Sequence, residues 1–74
     1  MKSELGNTIK FIRKKKDMSQ ELLAFSSEID RRHMSKIENG KVDIKVITLQ
    51  KILIALDISI SDFFLILENS LNKN

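Results

Sequence analysis

Four side chains within one six-residue stretch carry the chemistry of this chain: Arg31, Arg32, Ser35 and Lys36. If the stretch is helical, Met34 and Ile37, three residues apart, take the inner face and leave these four on the other. An arginine fork matches the O6 and N7 acceptors of guanine in the major groove, and lysine and serine donate to phosphate oxygens or base edges. Arg31, Arg32 and Lys36 are therefore candidates for reading base edges, with Ser35 a candidate phosphate contact. His33 is the one histidine in a chain without cysteine, so it has no partner for a metal site. A rim contact to phosphate or solvent is its expected state, and no metal is expected.

A helix must hold these residues, and the surrounding sequence supplies one. Asp30 is an N-cap candidate before Arg31, and Gly40 follows Asn39 as a stop, giving a helix from Arg31 to about Asn39. Ser19 is a second N-cap candidate, opening a helix from about Gln20 to Ser26 with Leu23 inward and Ala24 allowing close approach. Before it, Leu5, Ile9 and Ile12 form an apolar stripe on a helix from Ser3 or Glu4 to Lys16, with Phe11 off the stripe. After it, Val46, Leu49, Ile52, Leu53 and Leu56 mark the inner face of a helix from Ile44 to Leu56, with Ile54 outside. The last helix, from Ser61 or Asp62 to about Asn69, carries Phe63, Phe64, Leu65, Ile66 and Leu67 in an almost continuous apolar run. Leu22 and Phe25 are expected to pack against the first helix, with base stacking the lesser alternative.

The run Ser19-Gln20-Glu21, Leu23-Ala24, Ile29, Ser35-Lys36-Ile37-Glu38-Asn39-Gly40-Lys41 resembles the helix-turn-helix of phage-repressor and Cro-like regulators, the Xre family. Thr48-Leu49, Ile52, Ala55-Leu56 and Ile58-Ser59-Ile60 extend the resemblance over most of residues 5 to 67. Within the family the chain is similar to the small controllers of restriction–modification systems, through its length, an aromatic near Phe25, the pair Asp30-Arg31 and the paired Phe63-Phe64. The resemblance implies an all-α, five-helix, lambda-repressor-like domain; the domain is expected over residues 1–70, and residues 71–74, at the chain end, are expected as a frayed tail. It implies that Gln20 bonds a DNA phosphate and sometimes buttresses the recognition helix, and that Asn39 and Lys41 grip the backbone beyond that helix. It also implies a structural ion pair between Arg13 and Glu38. Asp17, Glu28 and Asp57 stand where the family often has glycine; if all three adopt left-handed backbone, the aspartates do so fairly readily and Glu28 at a cost of about 1 kcal/mol relative to glycine.

Charge is divided along the chain. Residues 1–51 hold twelve Lys/Arg against seven Asp/Glu, a net +5, whereas residues 52–74 hold one against three, a net −2. A basic front and an apolar tail fit one polyanionic partner and one self-association. Hydrophobic residues at 42% with 31% charged describe a folded helical domain rather than a disordered chain. No apolar run reaches the roughly 18 residues of a membrane span, and none resembles a signal peptide. The expected location is cytoplasmic, with no membrane partner.

These features lead to a homodimer that binds double-stranded DNA at a pseudo-palindromic operator and regulates transcription. Ile54, Ile60, Phe64, Leu65 and Leu67 are the expected dimer interface, being left over once the internal core is assigned. The rival from another class is an antitoxin-like protein-interaction module on the same fold. With one histidine, no cysteine, no tyrosine and no Gly-rich phosphate loop, no catalytic constellation is expected, nor any cofactor or small-molecule ligand.

Overall fold

Four of the five helices end with the same device. In a computed structural model that describes residues 1–72, the helices follow in order as α1 Lys2–Lys15, α2 Gln20–Ser26, α3 Arg31–Glu38, α4 Val46–Ala55 and α5 Ile60–Leu71. No described residue is in a strand. Asp17, Glu28, Gly40 and Asp57 each adopt left-handed backbone, with φ of 55°, 59°, 69° and 54°. The next amide in each case reaches back across the last turn. Met18 N–H donates to the Arg13 carbonyl at 3.1 Å, Ile29 to Ala24 at 2.9 Å, Lys41 to Lys36 at 2.9 Å and Ile58 to Leu53 at 3.1 Å. This Schellman closure satisfies helix-end carbonyls. It also tucks Met18, Ile29 and Ile58 against the core. Glycine takes such backbone without strain, while Glu28 does so at about 1 kcal/mol.

Helix starts are set by short polar side chains. The Ser19 hydroxyl accepts from Leu22 N–H at 3.0 Å, and the Ser59 hydroxyl from Asp62 N–H at 3.0 Å. The Asp30 carboxylate accepts from Arg32 N–H at 3.1 Å and from His33 N–H at 3.4 Å. Each cap satisfies amide donors that a first helical turn leaves free. Ser59 as cap starts α5 at Ile60, a residue or two earlier than the sequence reading. At the other end α5 runs to Leu71, past the expected boundary at Asn69, so Leu71 and the closing Asn72 belong to the helix end rather than to a tail. The remainder of the expected tail, residues 73–74, lies outside the described residues.

Ile9, Ile12, Leu23, Ala24, Met34, Ile37, Ile52, Leu53, Leu56, Phe63 and Leu67 form one buried core. α1 packs on α3 and α5, α2 on α3 and α4, and α4 on α5. Three expectations fail against this packing. Leu67 is 3% exposed and part of the core, because it lies one turn beyond Phe63 on the same face of α5. It is not an interface residue. Val46 is 83% exposed. It opens α4, where the stripe of Leu49, Ile52, Leu53 and Leu56 has run past the edge of the core. Leu22 and Phe25 are not buried against α1: Leu23 and Ala24 take the inner face of α2, and Leu22 and Phe25 are left 48% and 81% exposed.

Candidate nucleic-acid interface

α3 is anchored from behind at a single carboxylate. Arg13 on α1 donates from Nε to Glu38 Oε2 at 2.7 Å and from Nη2 to Glu38 Oε1 at 3.0 Å. Its Nη1 donates to the Met18 carbonyl at 2.8 Å. Gln20 at the start of α2 donates from Nε2 to Glu38 Oε1 at 3.1 Å. Glu38 is 1% exposed, so three elements meet on one buried negative charge that an arginine neutralises in bidentate geometry. Removing either partner of such a pair costs about 3–5 kcal/mol, since the other charge stays buried and unpaired. Met34 and Ile37 complete the fixed side of α3, both fully buried.

The other side of α3 is open and basic. At 100° per residue, Arg31, Arg32, Ser35, Lys36 and Asn39 fall within an arc of about 140° opposite Met34 and Ile37. His33 lies about 60° beyond Lys36, at the rim of that arc. Arg31, Arg32, His33, Lys36, Asn39 and Lys41 are exposed, and Ser35 is half-buried. Asn39 Nδ2 lies 3.4 Å from the Ser35 hydroxyl, a weak bond that joins the two along one ridge. Among the described residues the ion pairs are Met1–Glu4 and Arg13–Glu38, so the four cations Arg31, Arg32, Lys36 and Lys41 have no acid within 4.0 Å. A field of unneutralised cations on a helix anchored from behind is fitted to a polyanionic groove.

Gln20 is the one member of the expected phosphate set whose side chain is engaged with the buried anchor. Its amide nitrogen is committed to Glu38, which is the buttressing half of the expectation, and its side chain is half-buried. Away from α3, Ile54 near the end of α4 and Ile60, Phe64 and Leu65 on α5 are each exposed. Phe64 also borders a groove with Val46 and Leu71, and both of these are exposed apolar residues outside the set read from the sequence.

Gly6 is a close-packed residue behind α3 that sequence reasoning missed. It is buried inside α1, and a Cβ there would overlap the carbonyl oxygen of Ile37 and sit 2.9 Å from that of Glu38. The available signal was a glycine in a helix interior, which costs about 1 kcal/mol against alanine unless a close approach requires it.

The helix-turn-helix family model matches residues 9–63. Control protein C.MunI of Mycoplasma sp is 42% identical over 65 residues, spanning 86% of this chain and 88% of that protein. The crystal structure of the restriction–modification controller protein C.Esp1396I superposes with a TM-score of 0.93 at 35% identity, covering 97% of this chain and 94% of that one. The same controller as a tetramer in complex with its natural 35 base-pair operator superposes with a TM-score of 0.87 at 36% identity, over 90% of this chain and 88% of that one. With its turn chemistry, its buried Arg13–Glu38 anchor and these matches together, the chain belongs to the helix-turn-helix family of Xre-like regulators and is similar to the restriction–modification controllers within it.

Proposed function

We propose that this protein is a dimeric transcriptional regulator that reads double-stranded DNA with α3, acting as a restriction–modification controller does. The observation that carries the reading is the unpaired basic arc of α3, backed by a buried three-element anchor. In this reading Arg31, Arg32 and Lys36 reach base edges, and the guanidinium forks favour guanine-containing half-sites. His33, Ser35, Asn39 and Lys41 hold phosphates around that contact. Gln20 holds phosphate through its place at the start of α2, while its side chain braces Glu38. The site binds and does not react, and it works in the cytoplasm, where the chromosome is.

The two-fold partner is a second copy of the chain, joined through Ile54, Ile60, Phe64 and Leu65. A symmetric contact there covers exposed apolar side chains and sets the two α3 helices one DNA turn apart, about 34 Å. The operator complex of C.Esp1396I, a tetramer, supports an oligomer on DNA as the working form. The same apolar face also fits a dissimilar small protein, which is what keeps an antitoxin-like reading in view. Binding to duplex DNA as a function of salt separates the two. Phosphate contacts by two copies should give a steep inverse dependence, since each neutralised phosphate contributes about −0.9 to the logarithmic slope. A flat dependence, with a dissimilar protein co-purifying in fixed ratio, would favour the second reading.

A further inference from the structure

α1 meets the end of α3 with no side chain between them. Gly6 faces the carbonyl oxygens of Ile37 and Glu38, and neither backbone atom can swing aside as the tip of a side chain can. One turn earlier on α1, Ser3 stands against the turn that follows α3, where a Cβ on Gly40 would lie 2.7 Å from Ser3 Cα. Seven residues after Gly6, two turns along the same face of α1, Arg13 holds the Glu38 carboxylate. The last turn of the recognition helix is thus pulled toward α1 by an ion pair and stopped by a backbone contact. Apolar packing around Met34 and Ile37 holds α3 as well, but side chains repack, whereas the glycine contact is a hard stop.

We infer that Gly6 is a positioning residue for sequence discrimination: the missing side chain sets how deeply α3 seats against α1, and so where Arg31, Arg32 and Lys36 stand relative to base edges. This rests on the DNA-reading function proposed above. α3 has only eight residues, so a displacement of its last turn carries through to the basic arc. Bidentate hydrogen bonds to a base are short and directional, and they weaken steeply when donors shift. Attraction to phosphates is long-ranged and tolerant of the same shift. A methyl group at position 6 should therefore separate the two kinds of contact, which a general loss of stability would not do.

The test compares wild type and Gly6→Ala on two duplexes at one salt concentration: the best-bound duplex selected by wild type from a random pool, and a scrambled duplex of equal length. Thermal unfolding and sedimentation of both proteins accompany the measurement. The preference for the selected duplex should fall roughly tenfold or more, the scale of losing one well-made base contact. Affinity for the scrambled duplex and its salt dependence should stay within about twofold of wild type, because the phosphate contacts are kept. A folded Gly6→Ala dimer with wild-type preference would overturn the inference, as would equal loss on both duplexes, the mark of a reduced folded fraction. Should Gly6→Ala not fold, Ser3→Val probes the same brace from its exposed edge and should lower the preference by a smaller factor. An unchanged preference in that variant would then decide against the inference. Wild type with no preference for any duplex would overturn the DNA reading itself, a result distinct from both.

Discussion

An arginine can read a base only from a helix that is held in place, and the buried Glu38 carboxylate braces α3 from behind. Two arginine nitrogens and one glutamine nitrogen converge on that buried carboxylate, while the exposed arc above it keeps its charges free. Arg31→Ala should cost about 1–3 kcal/mol in operator binding and relax the preference at one base position. Lys41→Ala should weaken all duplexes about equally and flatten the salt dependence by about one phosphate contact. Binding-site selection with each variant measures both, and an unchanged motif for Arg31→Ala would remove that residue from the reading set. For the anchor, a double-mutant cycle on Arg13→Ala and Glu38→Ala should return a large coupling energy, with each single change costing about 3–5 kcal/mol. Additive effects would mean that the pair does not act as a unit. The Arg13–Glu38 geometry was anticipated from the resemblance. The commitment of Gln20 was open, because an amide at a helix start serves a phosphate or a neighbouring carboxylate equally well until the distance is known.

At the scale of elements, caps and turns were the most readable part of the chain. Ser19 and Asp30 are local devices: a short oxygen acceptor beside a free amide closes the same way whatever the surroundings. The left-handed residues Asp17, Glu28 and Asp57 were flagged by the resemblance instead, as positions where the family often has glycine. Glu28→Gly should raise stability by about 1 kcal/mol, read as a higher denaturation midpoint at constant slope. A lower midpoint would place some other interaction of the Glu28 side chain above its backbone strain. Faces were harder to read than ends. Periodicity gives the direction of a stripe but not where the core stops, which is why Val46 stands outside it. A continuous apolar run hides its own phase, so Leu67 was assigned outward although it shares the face of Phe63. Phe25 was misplaced because an exposed aromatic contradicts the default of burial, and only the packing of α2 on α3 and α4 shows otherwise. Gly6 was legible only as an anomaly, since the carbonyl it accommodates lies thirty-one residues away in sequence.

For the whole molecule, α3 presents exposed cations, while α4 and α5 leave Ile54, Ile60, Phe64 and Leu65 exposed. Phe64 is 44% exposed with its ring edge-on to buried Phe63, so its outer half is free for a partner without dismantling the core. Phe64→Asp should give a folded monomer at micromolar concentration by sedimentation, with weak binding to a full operator. Near-wild-type association of that variant would move the interface elsewhere, to Val46 and Leu71 first. Dimerisation matters because two modest half-site contacts combine into one phased recognition event. Selection of bound duplexes from a random pool by the wild-type protein tests that claim most directly. The expected product is a pseudo-palindrome with guanine-containing half-sites about 10 base pairs apart, bound by an even number of chains. A lone asymmetric half-site bound by a single chain, or no enriched sequence at all, would contradict it.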